Sequence, residues 1–401
     1  MNSTGPGSRA QFATYIENFS FLSRASGHVE TSNLVAEAIS SSVRGGVTEP
    51  APDSMRRWVR FLVAALYLSA SLAYGAEFVI VNQDDPDVGL NDPTPVDPVG
   101  INQKTTLGAQ RLFALESIGA IWAAELASDV PIRVGVQFMP LLCKATSATL
   151  ASARPASIFR DFSEATVPGT WHHAALADAL QGINVDLNPG PDRVDIDVDI
   201  NLAIDDGCFN GGTWYYGVDG NPPSGTIDIV PVMLHELAHG LGFSTFVSLQ
   251  DRFDENDELI AEAGEKVDGF DDVFMRQIGD VESGTLFWPE MTNAERADSA
   301  VNDPNVVWLG PNVEQQAGRV VTASGAFSFE FLRLHAPDPV EEGGSISHWT
   351  TDAFPNLLME PVLRSSLRFG ELDLTVDMLA DIGWPLSVLF ADGFESPPPT
   401  E

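Results

Sequence analysis

Basic residues are scarce in this chain. Only 21 Lys and Arg stand against 57 Asp and Glu, a formal net charge of −36 over 401 residues. Such a surface repels phosphate backbones and anionic headgroups, so nucleic acid and the membrane surface are excluded as partners of the mature protein. Cysteine is scarcer still, with Cys143 and Cys208 alone. A chain with one pair of cysteines has at most one internal disulfide, and outside the cytoplasm the two are expected to join. Long apolar runs are also missing. The longest clear one, Phe61 to Leu72, falls short of the roughly 20 residues that span a bilayer.

That short apolar run has a meaning of its own. It follows the basic stretch Met55-Arg56-Arg57-Trp58-Val59-Arg60 and precedes the small residues Ala73-Tyr74-Gly75-Ala76. Basic, apolar and small-residue segments in that order are the three parts of an export signal, here residues 55–76. Residues 1–54 then read as an upstream extension outside the mature protein, and Met55 as the start of translation. Secretion fits the acidic surface, which keeps an exported protein soluble. Acidity also admits calcium as a bound cation.

Residues 77–388 have the content of one large domain. The stretch Glu77 to Gln103 is rich in Pro and Asp and reads as a leader or loop. Leu107 to Leu126 carries Leu112, Leu115, Ile118, Ile121 and Trp122 at helical spacing. Pro131 to Phe138 alternates as a strand, and Trp171 to Leu180 reads as a short helix. Val194 to Ile204 has a period of two throughout. Its apolar side holds Ile196, Val198 and Ile200, and its polar side Asp195, Asp197, Asp199 and Asn201. That acidic side is either solvated or a calcium site. A helix is expected over Ile229 to Leu241, with Pro231 tolerated in its first turn and Gly240 and Gly242 breaking it. Residues 244–344 are acidic and irregular, a large insertion or subdomain. A last helix is expected over Leu374 to Ile382, stopped by Gly383 and Pro385. Residues 389–401 form a Pro-rich tail. The elements together make an α+β class with a mixed sheet.

The chemistry is concentrated in His235-Glu236-Leu237-Ala238-His239, an H-E-x-x-H. On a helix, residues four apart share a face, so both imidazoles reach one ion. Glu236 points about 100° away from His235 and sits beside that ion, where a carboxylate can take a proton from water. With seven histidines in the chain, chance formation of this motif is rare. A catalytic zinc needs a third protein ligand. The short metzincin spacing would put it at position 245, which is Thr245. A Glu ligand on a second helix, the gluzincin arrangement, has Glu295 in Asn293-Ala294-Glu295 as its nearest candidate. The histidines left are His172 and His173, which read as a surface helix end, His335 in a turn, and His348.

The run His235 to Ser244 resembles the active helix of leishmanolysin-type metallopeptidases. Ser347-His348-Trp349, Leu358-Met359-Glu360-Pro361, Leu374-Thr375 and Asp381-Ile382-Gly383-Trp384 resemble the C-terminal part of that family, in the same order. The resemblance covers residues 226–244 and 344–385. It implies a metzincin-like zinc peptidase with a large insertion before the third ligand. It also implies His348 as that ligand and Met359 as the residue of the Met-turn beneath the metal. The chain departs from the family in its cysteines: none precedes Cys143, so a cysteine switch is not expected.

The sequence therefore predicts a secreted zinc endopeptidase acting on protein or peptide substrates through Glu236. Two alternatives stand beside it: a secreted binding or adhesion protein on an inactive peptidase fold, and a hydrolase with a Glu third ligand. N-terminal sequencing of exported protein should find Ala76 or Glu77 first. A secreted product beginning near Met1 would reject the export reading.

Overall fold

A computed structural model describes residues 75–186, 190, 193–362 and 370–387. The expected extension, the signal segment up to Tyr74 and the tail lie outside these residues. Among the described residues no helix is long and apolar enough to cross a membrane.

The frame is a mixed four-stranded sheet. Strand β1 (Phe78–Asn82) is followed by helix α1 (Leu107–Glu125), β2 (Ile132–Met139), β3 (Ala151–Pro155) and β4 (Ile196–Asn201). The spatial order is β1-β2-β4-β3, with β1, β2 and β4 parallel and β3 antiparallel to β4. Helix α1 begins where Thr106 accepts a hydrogen bond from Ala109 N, and it buries Leu115, Ile118 and Trp122. The expected helix there is thus found to within a residue.

In β4 the alternation behaves as its pattern predicts only in part. Ile196, Val198 and Ile200 are buried, while Asp197 and Asp199 lie 3.7 and 3.3 Å from Arg154 on β3. Asp195 is buried against Arg193 at 2.9 Å and the Arg133 amide at 2.8 Å. Arginines and amides thus occupy the carboxylates of this face. The strand stops at Asn201, because its side chain accepts from Ala203 N and turns the chain into a 3-10 turn over Leu202–Ile204. The period-two pattern beyond residue 201 does not continue as strand.

The expected helix over Trp171 to Leu180 is corrected at its start. Residues Thr170–His173 are extended, pairing with Asp271–Asp272 on one side and Ile158–Phe159 on the other. These pairings are nonlocal and hold the backbone straight, so helix α2 begins only at Ala174 and runs to Gln181. His172 and His173 are fully buried, not at a surface helix end.

Helix α3 (Ile229–Leu241) has the expected bounds. Asp228 caps it by accepting from Val230 N. Gly242 ends it, with φ at 147°, but Gly240 does not break it. Gly240 lies inside the helix, where a Cβ would come within 2.3 Å of Ile196 Cγ2. Its role is to let α3 lie close against β4.

Residues 244–344 form short ribbons and two helices, α4 (Asn293–Ser299) and α5 (Pro311–Val320). Phe274, Trp288 and Trp308 from this stretch join the same buried cluster as α3. Phe243 at the end of α3 packs on Phe274 at 5.3 Å and edge-on to Trp349 at 5.0 Å, while Phe274 meets Trp308 at 4.8 Å. Helix α6 (Thr375–Asp381) closes the domain, one residue shorter at each end than expected, with Trp384 Nε1 donating to Leu241 O at 2.7 Å. Cys143 and Cys208 form a disulfide across 65 residues. By loop-closure entropy such a link is worth roughly 4 kcal/mol.

Replacing Gly240 with Ala should force Ile196 out of place. We expect a loss of about 1–3 kcal/mol, the range for overpacking a tight core. Urea unfolding would show it as a lowered midpoint; an unchanged midpoint would mean that β4 gives way freely.

Candidate metal centre

Helix periodicity stacks His235 and His239 on one face of α3, and their Nε2 atoms lie 3.1 Å apart. His348 arrives from a turn 113 residues after His235, with its Nε2 3.1 Å from that of His235. The ligand atoms of all three lie within 4.8 Å of one another, the one such group of His, Cys, Asp or Glu among the described residues.

The other ring nitrogens decide what this cluster is. His235 Nδ1 meets Leu358 O at 2.7 Å, His239 Nδ1 meets Phe243 O at 2.8 Å, and His348 Nδ1 meets Gly344 O at 2.9 Å. A carbonyl only accepts, so each Nδ1 carries the ring proton and each Nε2 presents a lone pair. Three lone pairs converging at this distance repel unless a cation lies among them. Tetrahedral zinc with nitrogen bonds of about 2.0–2.1 Å would separate its nitrogens by about 3.3–3.4 Å, close to what is seen. The residues fit a metal ion: His235, His239 and His348 can hold one.

A shared proton is a poor substitute. Burial pushes the His235 imidazole down to about 3, aided by repulsion from His239, and burial pushes His239 down to about 4. His348 falls well below its ordinary value through burial and the two neighbouring rings. All three are neutral, ligand-competent imidazoles at physiological pH.

Local chemistry builds each support. The Gly242 turn returns the Phe243 carbonyl to His239. Thr245, at the position a short metzincin would give to histidine, donates its hydroxyl to Asp272 at 2.8 Å. Asp272 also accepts from the amides of Phe246 and Met275, tying the end of α3 to the inserted segment. His335 does not join the cluster. Its ring meets Glu341 at 3.0 Å, but its backbone accepts from Ile346 N and donates to His348 O, bracing the turn that carries His348. His173 Nε2 bonds to Ser244 Oγ at 2.9 Å and His172 Nδ1 to Thr170 O. Glu295 accepts from Thr292 in the capping box of α4. None of these joins the group of three ligand rings.

Met359 is fully buried in the turn that supplies the Leu358 carbonyl, and its own carbonyl accepts from Trp349 N at 2.8 Å. Glu236 is mostly buried, with the Ala153 backbone on β3 near enough to favour its charged form. Burial nevertheless pushes its carboxyl up to about 8. A divalent cation beside it would draw that value down. Sequence reasoning passed over Glu360 and Asp373, whose carboxylates take the Leu357 and Leu358 amides. The signal available was an acidic residue inside an apolar run, in Leu358-Met359-Glu360-Pro361 and Leu372-Asp373-Leu374.

No family model matches the chain, and no curated protein or solved structure is significantly similar to it. The centre therefore rests on its geometry.

Protons compete with a metal only below the pKa of the free ligands. Because burial lowers those values to about 3 and 4 for His235 and His239, bound metal should stay until the pH falls to about 4. Metal content after gel filtration across a pH series checks this. Half-release at pH 6 or above would mean that the imidazoles titrate as exposed histidines do.

Proposed function

We propose that the chain is a secreted zinc-dependent endopeptidase of metzincin type. The observation that carries the reading is the convergence of three carbonyl-oriented imidazoles, two of them flanking Glu236 on one helix. Three neutral imidazoles suit zinc, and three protein ligands rather than four is the count of a catalytic site. The bound ion would supply Lewis acidity, lowering the pKa of water toward neutrality and polarising a peptide carbonyl.

The chain's own residues do the rest. Strand β3 pairs with β4 on one side and has no strand on the other among the described residues. An extended peptide can add to that edge through main-chain hydrogen bonds, which suits a protein substrate of varied sequence. The Ala153 backbone of this strand lies close enough to Glu236 to favour its carboxylate. That carboxylate takes the proton of the attacking water and passes it to the leaving amine. The Leu358, Phe243 and Gly344 carbonyls keep the three rings turned with Nε2 inward throughout.

Secretion is supported by the signal-like run before Gly75, by the disulfide and by the acidic surface. Ala76 is buried and donates its N–H to Leu126 O, which favours Ala76 over Glu77 as the first mature residue.

Glu236→Gln should keep one zinc per chain and lose at least about 100-fold in casein or peptide hydrolysis, the scale of a lost general base. His348→Ala should lose both metal and activity, while Glu295→Ala and His335→Ala keep both. Zinc bound without hydrolysis by the unaltered protein would favour a binding protein on this fold. Metal lost on Glu295→Ala but kept on His348→Ala would reject the three-histidine site.

A further inference from the structure

The turn 356–360 serves two metal-facing segments at once. The Leu358 carbonyl takes the Nδ1 proton of His235, and the next carbonyl, Met359, takes the amide of Trp349, the residue after His348. Both ligand segments are thereby aimed by one short stretch of backbone. That stretch belongs to no helix or strand, so nothing periodic holds its peptide planes.

Two carboxylates hold its amides. Glu360 Oε1 accepts from Leu357 N at 2.9 Å and Asp373 Oδ2 accepts from Leu358 N at 2.5 Å. The turn thus points two N–H groups at acids, one C=O at the His235 ring and the next at the backbone amide that follows His348. Asp373 is itself fastened: its Oδ1 accepts from the Thr375 amide at 3.3 Å and the Thr375 hydroxyl at 3.1 Å, at the start of α6. Its backbone is in the left-handed region, with φ at 38°, which is unfavourable for a residue with a Cβ. No salt-bridge cation among the described residues offsets its charge, and burial pushes its carboxyl up to about 6. An acid in a strained backbone conformation persists where its surroundings hold it for another purpose.

We propose that Asp373 is a positioning residue of the metal centre: its carboxylate grips the Leu358 amide, and so aims the Leu358 carbonyl at His235 and holds that ring with Nε2 inward. It acts through the backbone of the turn. Supporting groups that orient a ligating imidazole typically carry about 10–100-fold in metal affinity. The assignment rests on the three-histidine centre described above, and its test separates the two.

The probe is cobalt(II), whose visible absorption reports the arrangement of its ligands. Exported protein is stripped with a chelator and titrated with cobalt against a competing chelator. Asp373→Ala should bind cobalt about 10–100-fold more weakly than the unaltered protein, with a shifted absorption band. Asp373→Asn keeps a neutral acceptor and should show a smaller loss of the same sign. Asp377→Asn removes a nearby charge from α6 and should leave affinity and band unchanged. The band is read on folded, loaded protein, so a general loss of stability does not imitate the effect. Should the alanine variant not fold, the asparagine variant decides with the same readouts. A folded Asp373 variant with unaltered affinity and band overturns the assignment. So does an equal loss in Asp377→Asn, which would make the effect one of charge alone. If the unaltered protein takes up no cobalt, the metal centre itself falls, and this role with it.

Discussion

Each of the three converging imidazoles gives its Nδ1 proton to a main-chain carbonyl, and those carbonyls come from three separate turns. This constraint orders the rest of the structure. An imidazole has two nitrogens and one proton, so fixing the donor on one side fixes the lone pair on the other. The Gly242 turn, the Gly344–His348 turn and the Leu357–Glu360 turn must therefore all be correct for the three Nε2 atoms to meet. Their supports differ in kind: a positive-φ glycine, a bracing backbone at His335, and a pair of carboxylates.

Burial works on the centre in two directions. It removes the charged form of every group, so the histidines fall to neutral ligands while the Glu236 carboxyl rises to about 8. A dication reverses the second effect without undoing the first, since metal coordination keeps imidazole neutral and stabilises an adjacent carboxylate. A buried site of this composition is thus poorly matched to protons and well matched to a metal ion.

The inserted segment carries much of the mechanical load. Phe274 and Trp308 complete a ring of aromatic contacts with Phe243, which follows the helix of the first two ligands, and Trp349, which follows the third. Asp272 fastens the same segment to Thr245 and Phe246. The residues before and after the long insertion meet directly at Phe243 and Trp349, and the insertion packs aromatic side chains against both.

What could be read from the sequence follows the range of the forces involved. Helices α1 and α3 are set by local spacing, so their bounds and the shared face of His235 and His239 were legible within 19 and 13 residues. Gly240 lay inside that same pattern yet was misread, because its reason is Ile196 on a strand distant in sequence. The extended residues Thr170–His173 read as helix because their pairing partners lie up to a hundred residues away, and with them went the burial of His172 and His173. The export-like segment, the acidity and the single cysteine pair are compositional and needed no fold. His348 was singled out by a resemblance in motif order, since no local pattern distinguishes it from His335. Only the tertiary structure decided between them: it turns one ring toward Glu341 and the other toward His235, because the backbone of the first is the brace that positions the second.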